Sequence, residues 1–313
     1  MNNLKQVCEW LKSNDNYLIL MHSSPDGDTI GSATALCLAL QKIGKNAKCH
    51  CADTIDSKYL YMFDGIKEDV FEHKFVISVD IADIKLLGSL KEEFENCIDL
   101  NIDHHISNKL FAKMNYVVDS SGANCENIFD IIKQLNVDIT SNIANCLYTG
   151  ISTDTGCFKY SNTTARTLRI AAELLELGAD TSYINRVMFE TKSKARIDVE
   201  KQALESIEFH SDSKIALILI DEQMQQKVSN SELEGITAMP RTIENVLIGI
   251  TLKQKADNLY KVSVRTFEPV DASKICAAFG GGGHNAAAGC EMRGSLDEVK
   301  QRLLEVCKKE LEK

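Results

Sequence analysis

Short apolar runs alternate along the first half of the chain with stretches whose apolar residues recur at helical spacing, so strands and helices are predicted in turn. Tyr17–Met21 (YLILM) reads as a strand, and Thr29–Ile43 as a helix stopped by Gly44. Asn46–Cys51, Lys74–Asp80 (KFVISVD), Cys97–Asp103 (CIDLNID) and Tyr116–Val118 read as further strands. Asn124–Leu135, Thr140–Ser152 and Thr164–Leu177 read as helices. The alternation predicts an α/β fold, a mostly parallel sheet with helices on both faces.

The pattern changes near the middle. Lys192–Phe209 is charged, helix-prone and free of Gly and Pro. Beyond it, Ile215–Ile220, Val246–Leu252 and Tyr260–Arg265 read as strands, the last two joined as a hairpin through Ala256–Asn258. Ala272–Phe279 and Leu296–Leu311 read as helices, the latter opened by a capping box of Ser295 and Glu298. The expected organisation is a domain over 1–190, a helical connector over 191–212 and a smaller α/β domain over 213–313. A chain of 313 residues has room for two domains.

Composition narrows the function classes. Hydrophobic content is 44% and charged content 26%, values that exclude a disordered or fibrous protein. No apolar run is long enough for a membrane helix, and the N-terminus lacks the apolar core of a signal peptide, so a cytoplasmic location is expected. The net charge is −10, from 35 basic and 45 acidic residues. Residues 1–186 contribute −8 of it (17 basic, 25 acidic) and residues 187–313 only −2 (18 and 20). Such a chain is poorly suited to coating a long polyanion, whereas a small anion held by a few groups or by metal ions is compatible with it. The eleven cysteines include no C-x-x-C pair, and Cys49 and Cys51 read as ordinary strand residues of a reducing compartment.

The acidic surplus has a pattern. Four segments place Asp or His at expected strand ends: His22-Ser-Ser-Pro-Asp26-Gly27-Asp28, Asp80, Asp103-His104-His105, and Asp154 in GISTDTG. Ligands of open α/β sheets bind beyond the carboxyl ends of the strands, so these side chains are expected to converge. Asp26 and Asp28, two apart, would leave extended backbone on the same side, with Gly27 allowing a tight turn. Carboxylates that close repel unless a cation joins them. With His22, Asp80, His104 and Asp154 there are ligands enough for two metals. Mixed imidazole and carboxylate donors suit Mn²⁺, Co²⁺ or Fe²⁺, and an all-oxygen shell would suit Mg²⁺. Alone, Asp154 would read as a cap and the His pair as incidental; the four segments in order point to a metal site.

HSSPDGDTIGS, SVD, NIDHH and STDTG resemble the four motifs of the DHH phosphoesterases, and VSVRT followed by FGGGGHNAAAG resembles the DHH-associated C-terminal domain. The short two-domain form is most similar to the nanoRNase/pAp phosphatase (NrnA-type) branch. The resemblance implies one metal held by His22 and Asp26, a second by Asp28, His104 and Asp154, and Asp80 bridging both. It implies His105 facing the scissile phosphate and Asp103 orienting the histidines. Two divalent ions, Mn²⁺ foremost, would share a hydroxide about 3.5–4 Å apart and stabilise attacking and leaving oxygens.

In the second domain the glycine run lets backbone approach an anion closely. Gly281, Gly282, Gly283 and His284 are expected to bind substrate with Arg265, a fork suited to phosphate. A catalytic and a reading domain across a cleft would act as a ruler. The expected substrates are short RNA or DNA oligonucleotides or small nucleotides, released as nucleoside 5′-monophosphates, with pAp converted to AMP. Long duplexes and membranes are not expected partners, and the oligomeric state, a homodimer included, stays open. The alternatives are cleavage of pApA or cyclic di-AMP and RecJ-like single-strand exonuclease activity. A non-catalytic binding protein is disfavoured by the intact ligand set.

Overall fold

The computed structural model describes residues 2–68 and 70–312, and the chain divides into two units, Met1–Thr191 and Lys192–Lys313. The first unit runs α1 (Leu4–Ser13), β1 (Tyr17–Leu20), α2 (Gly27–Lys42), β2 (Ala47–His50), β3 (Phe75–Val79), α3 (Lys91–Phe94), β4 (Ile98–Asp103), β5 (Met114–Val117), α4 (Asn124–Gln134), α5 (Ser141–Asp154), α6 (Ala165–Glu176) and α7 (Thr181–Asn185). Its five strands are all parallel, in the order β2-β1-β3-β4-β5. Alternate residues serve opposite faces. Tyr17, Ile19, Ile77, Val79, Leu100 and Ile102 meet α1, α2, α4 and α5 on one side. Leu18, Leu20, Val76 and Ile98 meet Leu87 and Phe94 of the 3₁₀ turn Ile84–Leu90 and of α3 on the other.

α2 sits at the centre of this unit, buried along most of its length. It lies against α5 so closely that a Cβ on Gly31 would come within 2.5 Å of the Cys146 carbonyl oxygen, and one on Gly27 within 2.3 Å of Thr153 Oγ1. Gly27 is therefore a packing residue in the first turn of a helix, not the tight turn that the Asp26-Gly27-Asp28 spacing suggests. Asp26 is the N-cap of α2, its Oδ1 accepting the Asp28 and Thr29 amides at 3.0 and 3.1 Å, and Asp28 is already helical. The two carboxylates are thus separated by a helix start, not by extended backbone.

The second unit runs α8 (Lys194–Glu205), β6 (Glu208–His210), β7 (Ile215–Ile220), α9 (Glu222–Gln226), α10 (Asn230–Thr237), β8 (Ile248–Ala256), β9 (Leu259–Thr266), α11 (Ala272–Ala277), β10 (Gly282–His284), β11 (Ala287–Arg293) and α12 (Leu296–Leu311). Its mixed sheet has the order β10-β11-β9-β8-β7-β6, with β7 and β8 parallel and the other pairs antiparallel. One face packs on α11 and α12 through Ile250, Val262, Val264, Ile275 and Leu303. The other packs through Ile218 and Ile220 on α8 and α10. The stretch expected as a connector thus holds the first helix of this unit, its Val199 and Ala203 fully buried. Half of the glycine run forms β10 against β11. The fold class is the expected one, α/β with a parallel sheet followed by a smaller mixed-sheet unit.

The α2–α5 contact makes a sign-reversing prediction. Gly→Ala inside a helix ordinarily gains about 1 kcal/mol. At Gly31 the added methyl meets backbone, so Gly31→Ala should destabilise the protein by about 1–3 kcal/mol, read as a lower urea midpoint. An unchanged or raised midpoint would show that the helices are not held at contact distance.

Candidate metal centre

Six of the predicted side chains gather beyond the carboxyl ends of β1, β3 and β4 into overlapping groups: His22, Asp26 and Asp80; Asp28, His104 and Asp154; and Asp80, His104 with the further histidine His105. Asp154 is a correction to the strand-end expectation, for it is the last residue of helix α5. It reaches the cluster because α5 is clamped to α2.

Each imidazole is pre-aimed. His22 donates its Nδ1–H to the Ser23 carbonyl (2.8 Å), and His104 donates its Nδ1–H to the Ser121 carbonyl (3.1 Å). Both bonds turn Nε2 inward, the orientation that metal-binding histidines require once Nε2 is deprotonated. Nε2 of His22 lies 3.7 Å from Asp26 Oδ1 and 3.7 Å from Asp80 Oδ2. Nε2 of His104 lies 3.7 Å from Asp28 Oδ2, 3.5 Å from Asp80 Oδ1 and 3.7 Å from Asp154 Oδ2. These separations are long for hydrogen bonds and suit donors converging on a cation with ligand distances of about 2.0–2.2 Å.

Asp80 is the common member. It ends β3 in the left-handed region (φ 59°), is 3% exposed, and its Oδ1 has no hydrogen-bond partner. An unpartnered buried carboxylate oxygen is costly, and a shared cation would satisfy it. Asp28 is also buried, with Oδ2 accepting the Asn124 amide (2.6 Å) and Oδ1 the Cys125 amide (2.9 Å). It thereby caps α4, whose own N-cap position is Ala123 with no side-chain bond, and the helix dipole favours its negative charge.

The charges of the cluster are frustrated. Burial, then the neighbouring Asp28, pushes Asp80 well above the usual carboxylate range. Burial, again with Asp28 beside it, raises Asp154 to about 7. Burial opposes a proton on His22, but Asp26 and Asp80 override it and lift the imidazole to about 11. The residues present therefore fit divalent cations: mixed N and O donors, carboxylates crowded beyond what imidazoles neutralise, and one orphaned oxygen.

His105 and Asp103 stand beside this group. His105 donates its Nδ1–H to Asp103 Oδ1 at 2.8 Å, and Asp103, fully buried, also accepts the Asn108 amide at 2.5 Å. Burial disfavours the Asp103 charge, yet these two donors hold its carboxyl below the usual range. The bond to Asp103 raises His105 in turn, favouring its protonated form.

The residues that support the cluster leave little trace in the sequence pattern. Asn162 donates to the Gly122 carbonyl (2.8 Å) and to the Asp154 carbonyl (3.2 Å), tying the loop that carries Ser121 to the end of α5. Buried Glu126 accepts from Gly122 N, Thr167 Oγ1 and Arg166, and Arg166 also donates to Asp130 at 2.5 Å. Asn108, five residues after Asp103, could have been noticed in the DHH segment. Ser121 acts through its carbonyl, which no side-chain pattern reveals.

In the second unit, register places His284, Ala287, Arg265 and Gly249 in one row across β10, β11, β9 and β8. Exposed His284 and half-buried Arg265 thus flank small residues. Gly281 and Gly283 have packing reasons of their own, since a Cβ would come within 2.3 Å of the Gly289 carbonyl or 2.6 Å of the Ala287 carbonyl. Gly282 faces open space.

Residues 16–151 match the DHH family, N-terminal domain, and residues 212–313 match the DHHA1 domain. The chain is 31% identical to the bifunctional oligoribonuclease and PAP phosphatase NrnA of Thermus thermophilus, over 98% of this chain and 94% of the relative. The chain belongs to the DHH family of phosphoesterases. It is 26% identical to the probable bifunctional oligoribonuclease and PAP phosphatase NrnA of Streptococcus mutans, over 92% and 93% of the two chains. The crystal structure of an exopolyphosphatase-related protein from Bacteroides fragilis shares the fold with a TM-score of 0.85 at 25% identity, covering 98% of this chain and 95% of that one. Among the described residues no helix is long and apolar enough to cross a membrane.

Because His22 carries a proton at neutral pH in the metal-free cluster, loading must expel it. Mn²⁺ affinity should rise with pH, about tenfold per unit for each proton released per ion. Calorimetric titration across about pH 6–8 checks this. Affinity independent of pH would contradict the ligand assignment.

Proposed function

We propose that the chain hydrolyses short oligoribonucleotides to nucleoside 5′-monophosphates and pAp to AMP, with two divalent ions, Mn²⁺ foremost, as cofactors. The observation that carries this reading is Asp80, a buried carboxylate shared by all the imidazoles of the cluster, in a chain whose full-length relatives are named oligoribonuclease and PAP phosphatase. His22 and Asp26 would hold one ion, Asp28, His104 and Asp154 the other, and Asp80 both. When bound, such ions polarise phosphoryl oxygens and lower the pKa of water.

The remaining steps belong to the chain's own groups. Asp103 holds the His105 ring in place and favours its protonated form, so that its Nε2–H can donate to a phosphoryl oxygen as negative charge builds there. Asp28 cannot swing, being fixed by two backbone amides. His22 and His104 cannot flip without losing the Ser23 and Ser121 carbonyls. This rigidity supplies a preorganised field instead of one assembled during the reaction. In the second unit, Arg265 offers a bidentate fork for a non-scissile phosphate and His284 a cationic or stacking partner for the same ligand.

A product-resolved assay with Mn²⁺ tests the reading, using pAp, pApA, cyclic di-AMP, RNA of graded length and a long single strand. Monophosphates released fastest from the shortest RNAs, with AMP formed from pAp, are the expected result. Equal turnover of the long strand would move the protein toward RecJ-like exonucleases, and preference for cyclic di-AMP would replace the oligonucleotide reading. Asp80→Asn should abolish turnover, a loss of at least about 10³-fold; near-normal activity would refute its shared role. Arg265→Ala should raise KM about tenfold or more with metal content intact. Loss of metal in that variant would refute the division of labour between the units.

A further inference from the structure

Beside His105, on the β5 flank of the cluster, lies an open cavity of about 170 Å³ lined by His105, Ile106, Asn108, Leu110, Val117 and Asp119. Pockets for drug-sized ligands run to about 300–1,000 Å³, so this one is of the size of a single heterocycle. It sits beyond the carboxyl ends of β4 and β5, the same end of the sheet as the metal ligands. Two features set it apart from ordinary surface. Ile106, directly after His105, is 89% exposed, and Leu110 is 49% exposed while held at φ 51°. A left-handed leucine is strained. It is fixed by its N–H to Asn108 Oδ1 (2.7 Å), the residue whose amide also holds Asp103 and the Ile81 carbonyl. The scaffold that orients His105 therefore also presents Leu110. With Asn108 committed to those bonds, the polar side chains left to the cavity are His105 and exposed Asp119, whose carboxylate is an acceptor only.

We propose that this cavity is a subsite for one nucleobase of the substrate, which lies against Ile106 and Leu110 and donates an exocyclic amino group to Asp119. The inference rests on the nucleotide reading above. It adds a specificity: adenine, cytosine and guanine carry such an amino group and uracil does not. Aliphatic walls cover the faces of the ring, and a carboxylate at one edge selects the donor.

The test is a cycle of protein and substrate changes. kcat/KM is measured for wild type, Ile106→Ser and Asp119→Asn on pApA, on pUpU and on pApA analogues abasic at one residue or the other, with bound metal counted in each protein. Wild type should favour pApA over pUpU and lose about tenfold for one of the two abasic analogues. Ile106→Ser should lower kcat/KM for pApA about tenfold through KM, with a much smaller penalty on that abasic analogue. Asp119→Asn should bring pApA toward pUpU. Equal losses on base-bearing and abasic substrates, or none, would overturn the subsite. A wild-type protein that cleaves bis(p-nitrophenyl) phosphate but none of these nucleotides would instead overturn the nucleotide reading itself.

Discussion

Carboxylate crowding is the constraint around which the first unit is organised. Asp26, Asp28, Asp80 and Asp154 face one another with only imidazoles between them. Burial and mutual repulsion raise Asp80 and Asp154, so the arrangement opposes its own ionisation until cations enter. Everything nearby acts to keep the carboxylates in place despite that repulsion. Asp26 and Asp28 are pinned by helix-start amides, and Asp80 is turned by a left-handed backbone. Asp154 arrives on a helix held in place by glycine contacts. Function and stability pull in opposite directions here, as strained sites commonly do.

The glycine contacts link the packing to the chemistry. Larger side chains at these positions would push α2 and α5 apart, and Asp154 would then sit further from Asp28. Gly27, Gly31 and Gly150 remove the intervening side chains; a Cβ on Gly150 would lie 2.8 Å from Asp28 Oδ1. The buried strands β1, β3 and β4 anchor the other side of the cluster. The second unit has a different logic, a sheet whose small residues leave Arg265 and His284 standing on one face.

The strands and most helices of the first unit were legible because continuous apolar runs and helical spacing are strong signals. The candidate cluster was legible because Asp and His directly after such elements have few other uses in combination. What escaped has physical reasons. Asp26-Gly27-Asp28 looks like a turn, yet capping by Asp26 starts a helix there, and tertiary contact, not local geometry, demands the glycine. β10 escaped because glycine carries no strand preference and its pairing is decided by β11. The helix Lys194–Glu205 looks like a linker because its exposed charges outnumber the few positions, Val199 and Ala203, that bury it. Carbonyl acceptors such as those of Ser23 and Ser121 leave no trace in side-chain identity.

One buried carboxylate, Asp80, is proposed to serve two cations. Anomalous diffraction from crystals soaked in Mn²⁺ tests it most directly. Two anomalous peaks are expected at full loading, one beside His22 and Asp26 and one beside Asp28, His104 and Asp154, with Asp80 contacting both. A single peak at saturating Mn²⁺, or two peaks of which only one touches Asp80, would contradict it.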